Sequence, residues 1–386
     1  MSEIRSTSGG DNPEELPALS SSSLRERVYT VTPESALQGQ VAADSLVSGS
    51  PRRGEKVKGS FLDRLTRTAH VGEQVGWAGI LVPHNLHEVD PWPIASYLGS
   101  VTSKMVPLIA LQPSSLPPHT AAAMASAYAT LYGRPLYFNL VAGAREDELR
   151  STGDELGHDE RYERVREYGR ILRALLRGEA VTEEGRHYTY RDFRLQPRPE
   201  VLSECKIFIA GSSSASLSVA RDIADVVVTH PAPYPEWEAE FLRPLLAEGY
   251  AGEFGIRIGV IARQRRADAW DIARTRFPET WRGRQETLLK TMSPNAWSRK
   301  LAQHAVTQEG REGQFGAEAE EDPYWLGAFR SGGASAPFLV GDVEEVADRL
   351  GAYLRAGVGH ILLNGSHEDD HADIRRVIDT AAASRK

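Results

Sequence analysis

The chain has 386 residues, 41% of them hydrophobic and 25% charged, and a formal net charge of −8. These values are typical of a globular enzyme that buries a large core, and the negative charge argues against nucleic-acid and anionic-membrane partners. Because the chain shows no apolar run near the ~20 residues of a membrane span, no secretory signal pattern and no second cysteine beside Cys205, we expect a cytoplasmic protein.

Strand and helix patterns alternate along most of the chain. Residues 1–26 are rich in Ser, Gly, Pro and charge, which predicts a disordered tail. The Gly/Ser-rich stretch 34–59 predicts disorder or a functional lid, and the polar run 184–199 predicts a small hairpin. The predicted strands are Val28–Thr32, Gly79–Pro83, Val106–Leu111, Leu136–Val141, Ile207–Ile209, Asp225–Thr229, Gly255–Ala262 and His360–Leu363. Helical patterns follow near 61–77, 93–100, 117–132, 160–177, 217–223, 235–246 and 373–382, and Asp342 with Glu345 forms a capping box for one more.

This alternation decides the fold class. A chain of this length could hold two average domains or one large α/β barrel. About eight βα units, with one long insertion after the seventh strand, favour a closed (β/α)8 TIM barrel over an open sheet. We therefore predict a single barrel domain over 27–386, with the insertion at about 265–335 acting as a lid. Residues that carry chemistry should lie at the carboxyl ends of the strands.

The stretch Lys206–His230 reads as strand, tight turn, helix and strand. Gly211 permits a close backbone turn, and the serines Ser212, Ser213 and Ser214 come at the start of the helix. Hydroxyls and backbone N–H groups at a helix N-terminus favour a phosphate group. A serine cluster at this position also serves as a simple helix cap, so both interpretations stay open.

Two histidine motifs have alternative interpretations. His367 to His371 has the His-Glu-x-x-His spacing of zinc proteases, which require the motif inside a helix together with a third ligand. Here the motif follows a strand and a Gly-Ser pair, so we expect no metal site. His84, His87 and Glu88 follow the second predicted strand. They either contact a ligand there or belong to a solvated loop.

Two arginines lie at positions where the role of the positive charge must be explained. Arg257 lies inside the apolar strand Gly255–Ala262, so it must meet either a ligand anion or a paired carboxylate. Arg330 lies among glycines in the insertion, where it either closes over an anion or only solubilises a loop. His158 and Tyr162 begin a helix and offer donors to a phosphate or a ring.

The chain resembles the bacterial-luciferase-like flavin-dependent monooxygenases, and within them the alkanesulfonate monooxygenase branch. The resemblance covers nearly the whole chain from about Val28 to Ala383 and rests on an ordered set of short strings. They are Gly79–Pro83 with Asp90–Trp92, Asn139–Gly143, His158–Glu163, Ala210–Ser213, Phe254–Arg257, Arg330–Gly333 and Leu339–Asp342.

The resemblance implies a two-component enzyme. A separate flavin reductase would supply reduced FMN, O2 would add to it, and the flavin peroxide would oxygenate a small organic substrate, sulfonate-like or a specialised metabolite. By matching strings, Gly211, Ser212 and Ser213 would hold the FMN phosphate with help from His158 and Tyr162. Asn139, Ala142 and Gly143 would line the flavin ring, and Arg257 and Arg330 would balance negative charge. Such enzymes are commonly homodimers or homotetramers.

Departures from the alkanesulfonate pattern concentrate on the substrate side. His230 replaces a Trp, Gln112 replaces an Arg, and Glu88 falls near a Cys of that branch. We therefore expect His230 at the reacting centre, and Glu88, Gln112 and the strand-end His367 to contact substrate. Two histidines of the branch are missing, one near Ser35 and one at Gly259.

These departures predict a substrate other than a simple alkanesulfonate, and they leave two rival functions open. The first is a deazaflavin-dependent oxidoreductase of the same fold. The second is a non-catalytic flavin-binding protein.

Overall fold

The computed structural model describes residues 24–33, 59–86, 88–143, 146–293, 295–315 and 322–384, without side-chain detail for 147 and 311–315. The predictions for residues 1–23 and 34–58 lie outside these ranges. Leu24, which the sequence assigns to the tail, is fully buried. The packed part of the chain therefore includes residues that the sequence analysis placed in the tail.

Twelve strands lie within the described residues. In chain order they are β1 (Val28–Val31), β2 (Gly79–Val82), β3 (Val106–Leu111), β4 (Tyr137–Leu140), β5 (Val181–Glu184), β6 (Thr189–Phe193), β7 (Ile207–Ala210), β8 (Val226–Thr229), β9 (Glu253–Arg263), β10 (Tyr324–Trp325), β11 (Phe338–Asp342) and β12 (Val358–Leu363). Eight of them, β1 to β4, β7 to β9 and β12, pair in parallel in that order, and β12 returns to β1. This ring confirms the predicted (β/α)8 barrel. The antiparallel pair β5 and β6 is the predicted hairpin.

The helices mostly occupy the outside of this ring. They are α1 (Phe61–Val75), α2 (Pro91–Val101), α3 (Pro118–Tyr132), α4 (Glu146–Ser151), α5 (His158–Arg177), α6 (Ser214–Ile223), α7 (Tyr234–Trp237), α8 (Arg243–Ala247), α9 (Arg266–Arg276), α10 (Trp281–Lys290), α11 (Ala296–Phe315), α12 (Gly327–Arg330), α13 (Val343–Arg355) and α14 (His371–Ala383). None of these helices is both long and apolar enough to cross a membrane. The single helix predicted over 235–246 is instead α7 and α8 joined by a π-helical turn, Glu238–Leu242.

The barrel interior is filled at its amino-terminal end. Along β1, Tyr29 and Val31 join the inner cluster with Phe208 and Leu362, while Val28 packs outward against the helices. This alternation is the period of two that a strand imposes. Below the inner cluster, the imidazole of His360 contacts the Glu253 carboxylate at 3.0 Å. The packed floor leaves space for a ligand only toward the carboxyl ends of the strands.

Sequence analysis missed two strands, β10 inside the insertion and β11 just after it. The second half of β9 pairs with β11, from Gly259 opposite Phe338 to Arg263 opposite Asp342, whereas its first half pairs with β12. A side chain at position 259 would come within 2.3 Å of the Phe338 ring. The ring thus fills the space beside Gly259, which gives a steric reason why the histidine of the alkanesulfonate pattern is missing at this position.

Candidate active site

A cavity of about 590 Å³ opens at the carboxyl end of the barrel. Its wall comes from residues at or just after β2, β3, β4, β7, β8 and β9, and from the start of α11 in the insertion. The strands place these residues together because parallel strands of a barrel all end on the same face. Eleven predicted site residues line it: Gln112, Asn139, Ala142, Gly143, His158, Tyr162, Gly211, Ser212, Ser213, His230 and Arg257.

The turn from β7 into α6 forms a cradle at one end of this cavity. Gly211 has φ +153°, and a Cβ atom there would lie 2.7 Å from the Ser216 Oγ atom. Ser213 is the N-cap of α6, and its Oγ accepts a hydrogen bond from the Ser216 backbone N–H at 3.2 Å. Ser212 also lines the cavity at this turn. The serines therefore act as a helix cap and also stand where the helix N-terminus favours an anion.

Side chains from α5 complete the cradle. Burial raises the pKa of Tyr162, and hydrogen bonds from Ser213 and Ser216 partly oppose that rise. Arg161 also lines the cavity, is 5% exposed, and donates from Nη1 to the Leu156 carbonyl at 2.8 Å. The His158 ring lies 5.0 Å from that of Tyr162. One cation and one hydroxyl thus accompany the helix N-terminus.

Arg257 brings a positive charge to the middle of the cavity. Its Nε atom donates to the Asn364 Oδ1 atom at 3.1 Å, and its Nη2 atom is buried with no hydrogen-bond partner in the part of the chain that the structure describes. Burial lowers the pKa of Arg257 to about 10, so the guanidinium stays charged at neutral pH. No carboxylate among the described residues pairs with it. The buried charge therefore leaves room for an anionic ligand.

Asn139 offers a second unused polar atom. Its Oδ1 atom is buried and accepts no hydrogen bond from the described residues. Buried acceptors are nearly always paired in folded proteins. A ligand with an N–H group in the cavity would satisfy this one.

His230 separates the cavity from the space behind it. Its ring stacks on the Trp297 indole of α11, with centroids 4.3 Å apart and planes 12° apart. Burial, together with the charge of Arg257, lowers the pKa of His230 to about 3. The imidazole is therefore neutral at physiological pH, and it stacks on Trp297 as an uncharged ring.

Arg330 lies outside the cavity lining. The sequence predicts a mobile arginine that closes over an anion, and the structure places this side chain elsewhere. Its side chain is 2% exposed, with Nη2 lying 3.3 Å from the Glu279 Oε1 atom and Nη1 donating to Gln308. A Cβ atom on Gly283 would lie 2.3 Å from the Arg330 carbonyl, so α10 packs directly on this residue. The insertion reaches the cavity through Trp297 instead.

Glu88 and His367 also lie outside the cavity lining. The loop after β2 turns with a hydrogen bond from the Glu88 N–H to the Asn85 carbonyl, and Asn85 is among the residues of this loop that line the cavity. His367 caps the short 3-10 helix Glu368–Asp370 with its side chain 62% exposed. A residue's position just after a strand thus did not decide whether its side chain faced inward.

The His-Glu-x-x-His spacing does not assemble a metal site. His371 is buried, and its Nδ1 atom accepts a hydrogen bond from the Trp77 indole N–H at 2.7 Å. His367 is exposed and contacts Asp369. Within the described ranges, no three His, Cys, Asp or Glu side chains cluster closely enough to hold a metal ion.

Sequence analysis missed several lining residues. Trp297 and Asn295 line the cavity but belong to no motif that the sequence revealed, and Arg161 lies within the string His158–Glu163 without having been given a role. His84 lines it too, and burial lowers the pKa of this histidine. Its position just after a predicted strand was a signal, but one that a solvated loop shares.

Comparisons with known proteins agree with this geometry. The family model for luciferase-like monooxygenases matches residues 45–360. The chain is 34% identical over 323 residues to 4-(gamma-L-glutamylamino)butanoyl-[BtrI acyl-carrier protein] monooxygenase BtrO of Niallia circulans, covering 83% of this chain and 92% of that protein.

Solved structures share the fold at low identity. A riboflavin lyase with modified FMN aligns with TM-score 0.67 and 15% identity over 87% of this chain and 86% of its own. An F420-dependent secondary alcohol dehydrogenase aligns with TM-score 0.60 and 17% identity over 83% and 95%. The fold therefore accommodates both kinds of flavin cofactor.

Proposed function

The chain belongs to the luciferase-like, flavin-dependent monooxygenases, and we propose that it is the oxygenase of a two-component system. In this proposal a separate reductase delivers reduced FMN, and the chain uses O2 to oxygenate a small organic substrate. The conclusion rests chiefly on Arg257, whose buried guanidinium faces the cavity without a carboxylate partner in the described structure.

The residues around the cavity fit a bound FMN. The turn at Gly211, with Ser212 and Ser213, would hold the phosphate at the start of α6 beside Tyr162. The unsatisfied Oδ1 atom of Asn139 would accept an N–H group of the ring, next to Ala142 and Gly143. Reduced FMN would supply the electrons that activate O2, and the protein would orient and shield it.

Arg257 supports this assignment by its electrostatics. An enclosed cation in a site of low dielectric constant stabilises nearby negative charge far more than it would in water. Reduced flavin and the reacting oxygen both carry negative charge, so Arg257 would hold it close to the ring. Asn364 orients the guanidinium through its hydrogen bond to Nε.

The insertion contributes by excluding water. Trp297 closes one side of the cavity against His230, with the two rings 4.3 Å apart. A reactive oxygen species in a flavin site must be kept from water and from unproductive decay. Aromatic stacking provides a dry wall, and because its pKa is lowered, the neutral His230 ring does not act as an acid at physiological pH.

For the substrate we propose an acyl group carried as a thioester on an acyl-carrier protein. The support is the likeness to BtrO, whose name gives such a substrate and which matches over 92% of its length. The comparisons do not single out the alkanesulfonate branch. The missing histidines and the ring of Phe338 beside Gly259 also separate the chain from that pattern.

The proposal is tested by reconstitution. The chain is mixed with FMN, NADH, a generic flavin reductase, oxygen-18 gas and a carrier protein loaded with the 4-(γ-glutamylamino)butanoyl group. Mass spectrometry of the acyl group should show one added oxygen-18 atom that depends on FMN and on reductase. The control is Arg257→Met, which should bind the acyl carrier but yield little product.

Other outcomes would favour the rivals. Hydride transfer with reduced F420 and no incorporated oxygen would identify a deazaflavin oxidoreductase. Tight FMN binding, with no oxygen incorporation into any thioester of an acyl-carrier panel, would contradict the oxygenase proposal and favour a non-catalytic flavin-binding protein.

A further inference from the structure

A second cavity of about 520 Å³ lies behind the first. Its walls come from α7, the π-helical turn and α11, and its inner end comes from residues that follow β8. Gln303 and Thr307 of α11 line it and are exposed, so the cavity reaches the surface along α11. It thus extends from solvent toward the carboxyl end of β8.

The two cavities meet at a partition one layer thick. Both are lined by Ser212, His230, Ala296, Trp297 and Arg299. Of these, His230 and Trp297 stack face to face and form the partition. Because Trp297 belongs to the insertion and His230 to the barrel, movement of α11 relative to β8 would join the two spaces into one passage.

The lining of the second cavity combines apolar walls with a buried donor. Phe241 and Leu301 are apolar and almost fully buried, and Trp237 is 2% exposed with its indole N–H unpaired among the described residues. An unsatisfied buried N–H is costly, and a carbonyl oxygen would satisfy it. These walls therefore suit a chain that is mostly aliphatic and carries amide carbonyls.

The same lining carries two carboxylates, Glu236 and Glu240, which balance its two permanent cations, Lys300 and Arg299. Lys300 Nζ lies 2.9 Å from Glu236 and 2.6 Å from Glu240, and His304 Nε2 lies 2.9 Å from Glu236. These charges leave no net demand for a counter-ion. A neutral amide chain is thus favoured over a small ion as the occupant.

The helix that forms one wall is itself irregular. The π-helical turn Glu238–Leu242 interrupts an otherwise α-helical segment and carries Glu240 and Phe241 into the cavity lining. Such π-helical turns are rare in proteins overall, and those that occur often lie at functional sites. This observation is independent of the unpaired Trp237 indole, and it points to the same cavity.

We propose that the second cavity receives the pantetheine arm of the acyl-carrier protein and delivers the thioester past the His230 and Trp297 stack. This inference rests on the proposed function, since it names how a carrier-bound acyl group reaches the flavin. The arm is a flexible aliphatic chain with two amide groups, which matches the apolar wall and the free Trp237 donor.

The test uses disulfide trapping. The native thiol should be inert, because burial raises the pKa of Cys205 to about 12, and new cysteines would report on their own sites. Gln303→Cys lines the second cavity, and the matched control Val306→Cys lies on the same helix, exposed and outside both cavities. Each variant is equilibrated with pantetheine disulfide, and separately with hydroxyethyl disulfide, under the same reductant.

The expected result is selective capture. Gln303→Cys should retain pantetheine at a reductant concentration at least tenfold higher than Val306→Cys does, while both variants should react alike with hydroxyethyl disulfide. Equal retention of pantetheine by both variants would overturn the proposal. The experiment needs neither FMN nor turnover, so its failure is distinguishable from failure of the proposed function.

A kinetic comparison supplies the second readout. Gln303→Trp should raise KM at least tenfold for the carrier-bound acyl thioester while leaving KM for the same acyl group on N-acetylcysteamine within twofold. Val306→Trp should change neither value. Equal rises for both substrates with Gln303→Trp would argue that the residue affects the site generally and would count against an arm channel.

Discussion

At Gly211 the backbone conformation and the ligand site depend on the same few atoms. The φ of +153° is one that L side chains rarely adopt, and the space where a Cβ atom would project is taken by Ser216. Because Ser216 is fully buried within the first turn of α6, it has little room to move. The turn where we propose that a phosphate binds is therefore held in shape by packing.

The phosphate assignment is tested by Ser212→Ala. Loss of the hydroxyl should weaken binding of reduced FMN by about 1.5–3 kcal/mol, which is typical for a hydrogen bond to a charged group. The measurement is an anaerobic fluorescence titration. Ser214→Ala is the control, since Ser214 is exposed and does not line the cavity.

Ser213 makes a less clean probe because it also caps α6. Removing the cap costs about 1 kcal/mol of stability by itself. Equal FMN affinity for wild type and Ser212→Ala would remove this residue from the cradle.

Replacement of Arg257 should affect turnover and stability in opposite directions. Arg257→Met should abolish most turnover, because the cation near the ring is lost. Its free energy of unfolding should stay the same or rise, since this enclosed charge has no carboxylate partner among the described residues and its replacement removes a desolvation cost. Thermal and urea unfolding of the FMN-free protein measure this. A loss of several kcal/mol would mean that the guanidinium is a structural group.

Among the elements, β9 is the strand that joins the barrel to β11. It pairs with β8 and β12 along its first half and with β11 along its second half. Phe338 at the start of β11 packs onto Gly259, and the Gly259 N–H donates to the Pro337 carbonyl at 2.8 Å. The insertion is thereby attached to the same strand that presents Arg257.

This contact predicts that removing the Phe338 ring partly offsets the destabilisation caused by a larger side chain at position 259. Gly259→Ala should destabilise the protein by about 1–3 kcal/mol, because a methyl group would overlap the Phe338 ring. Phe338→Ala alone should cost about 3–5 kcal/mol through the cavity it leaves. The double variant should lose at least about 1 kcal/mol less than the sum of the two, since the methyl group then has space. Urea unfolding of all four proteins measures the coupling, and strict additivity would contradict the packing.

On the scale of the whole molecule, the C-terminal segment holds barrel and insertion together. The buried carboxylate of Asp370 accepts hydrogen bonds from Arg263 at the end of β9 and from Arg276 of α9. Burial alone would raise the pKa of Asp370, but these arginines lower it overall. One residue further, His371 accepts a hydrogen bond from Trp77, which precedes β2. The helix α14 thus connects the end of the barrel sequence to the segment that leads into β2.

The contact of His371 with Trp77 predicts a pH dependence of stability. Burial lowers the pKa of His371 from 6.5 to about 4, so the folded state holds the neutral ring while the unfolded state takes up a proton. This contribution is complete above pH ~6.5 and is lost as pH falls toward 4, on the order of 3 kcal/mol in total.

The measurement is urea unfolding between pH 7 and 4. His371→Asn keeps an acceptor for the indole but does not titrate, so its stability should fall less steeply than that of wild type. Some slope should remain, because burial also lowers the pKa of His230 and His360. Identical slopes for the two proteins would contradict the assignment.

The sequence by itself determined the barrel and the cradle. Buried parallel strands show as short apolar runs, and the Gly211 turn with its serines and the capping box at Asp342 show in local order. The apolar runs, the turn and the capping box each depend on residues close in the chain, which is why pattern and spacing predict them. Eleven predicted site residues accordingly line one cavity.

Only the tertiary structure decided which distant side chains enter that cavity. Trp297 reaches it and Arg330 does not, because α10 packs over Arg330 and directs its guanidinium to Glu279. Likewise β11 was missed, since its pairing with β9 joins residues about 80 positions apart. Such contacts are set by how the insertion packs on the barrel, a balance of many weak long-range interactions that no local pattern records.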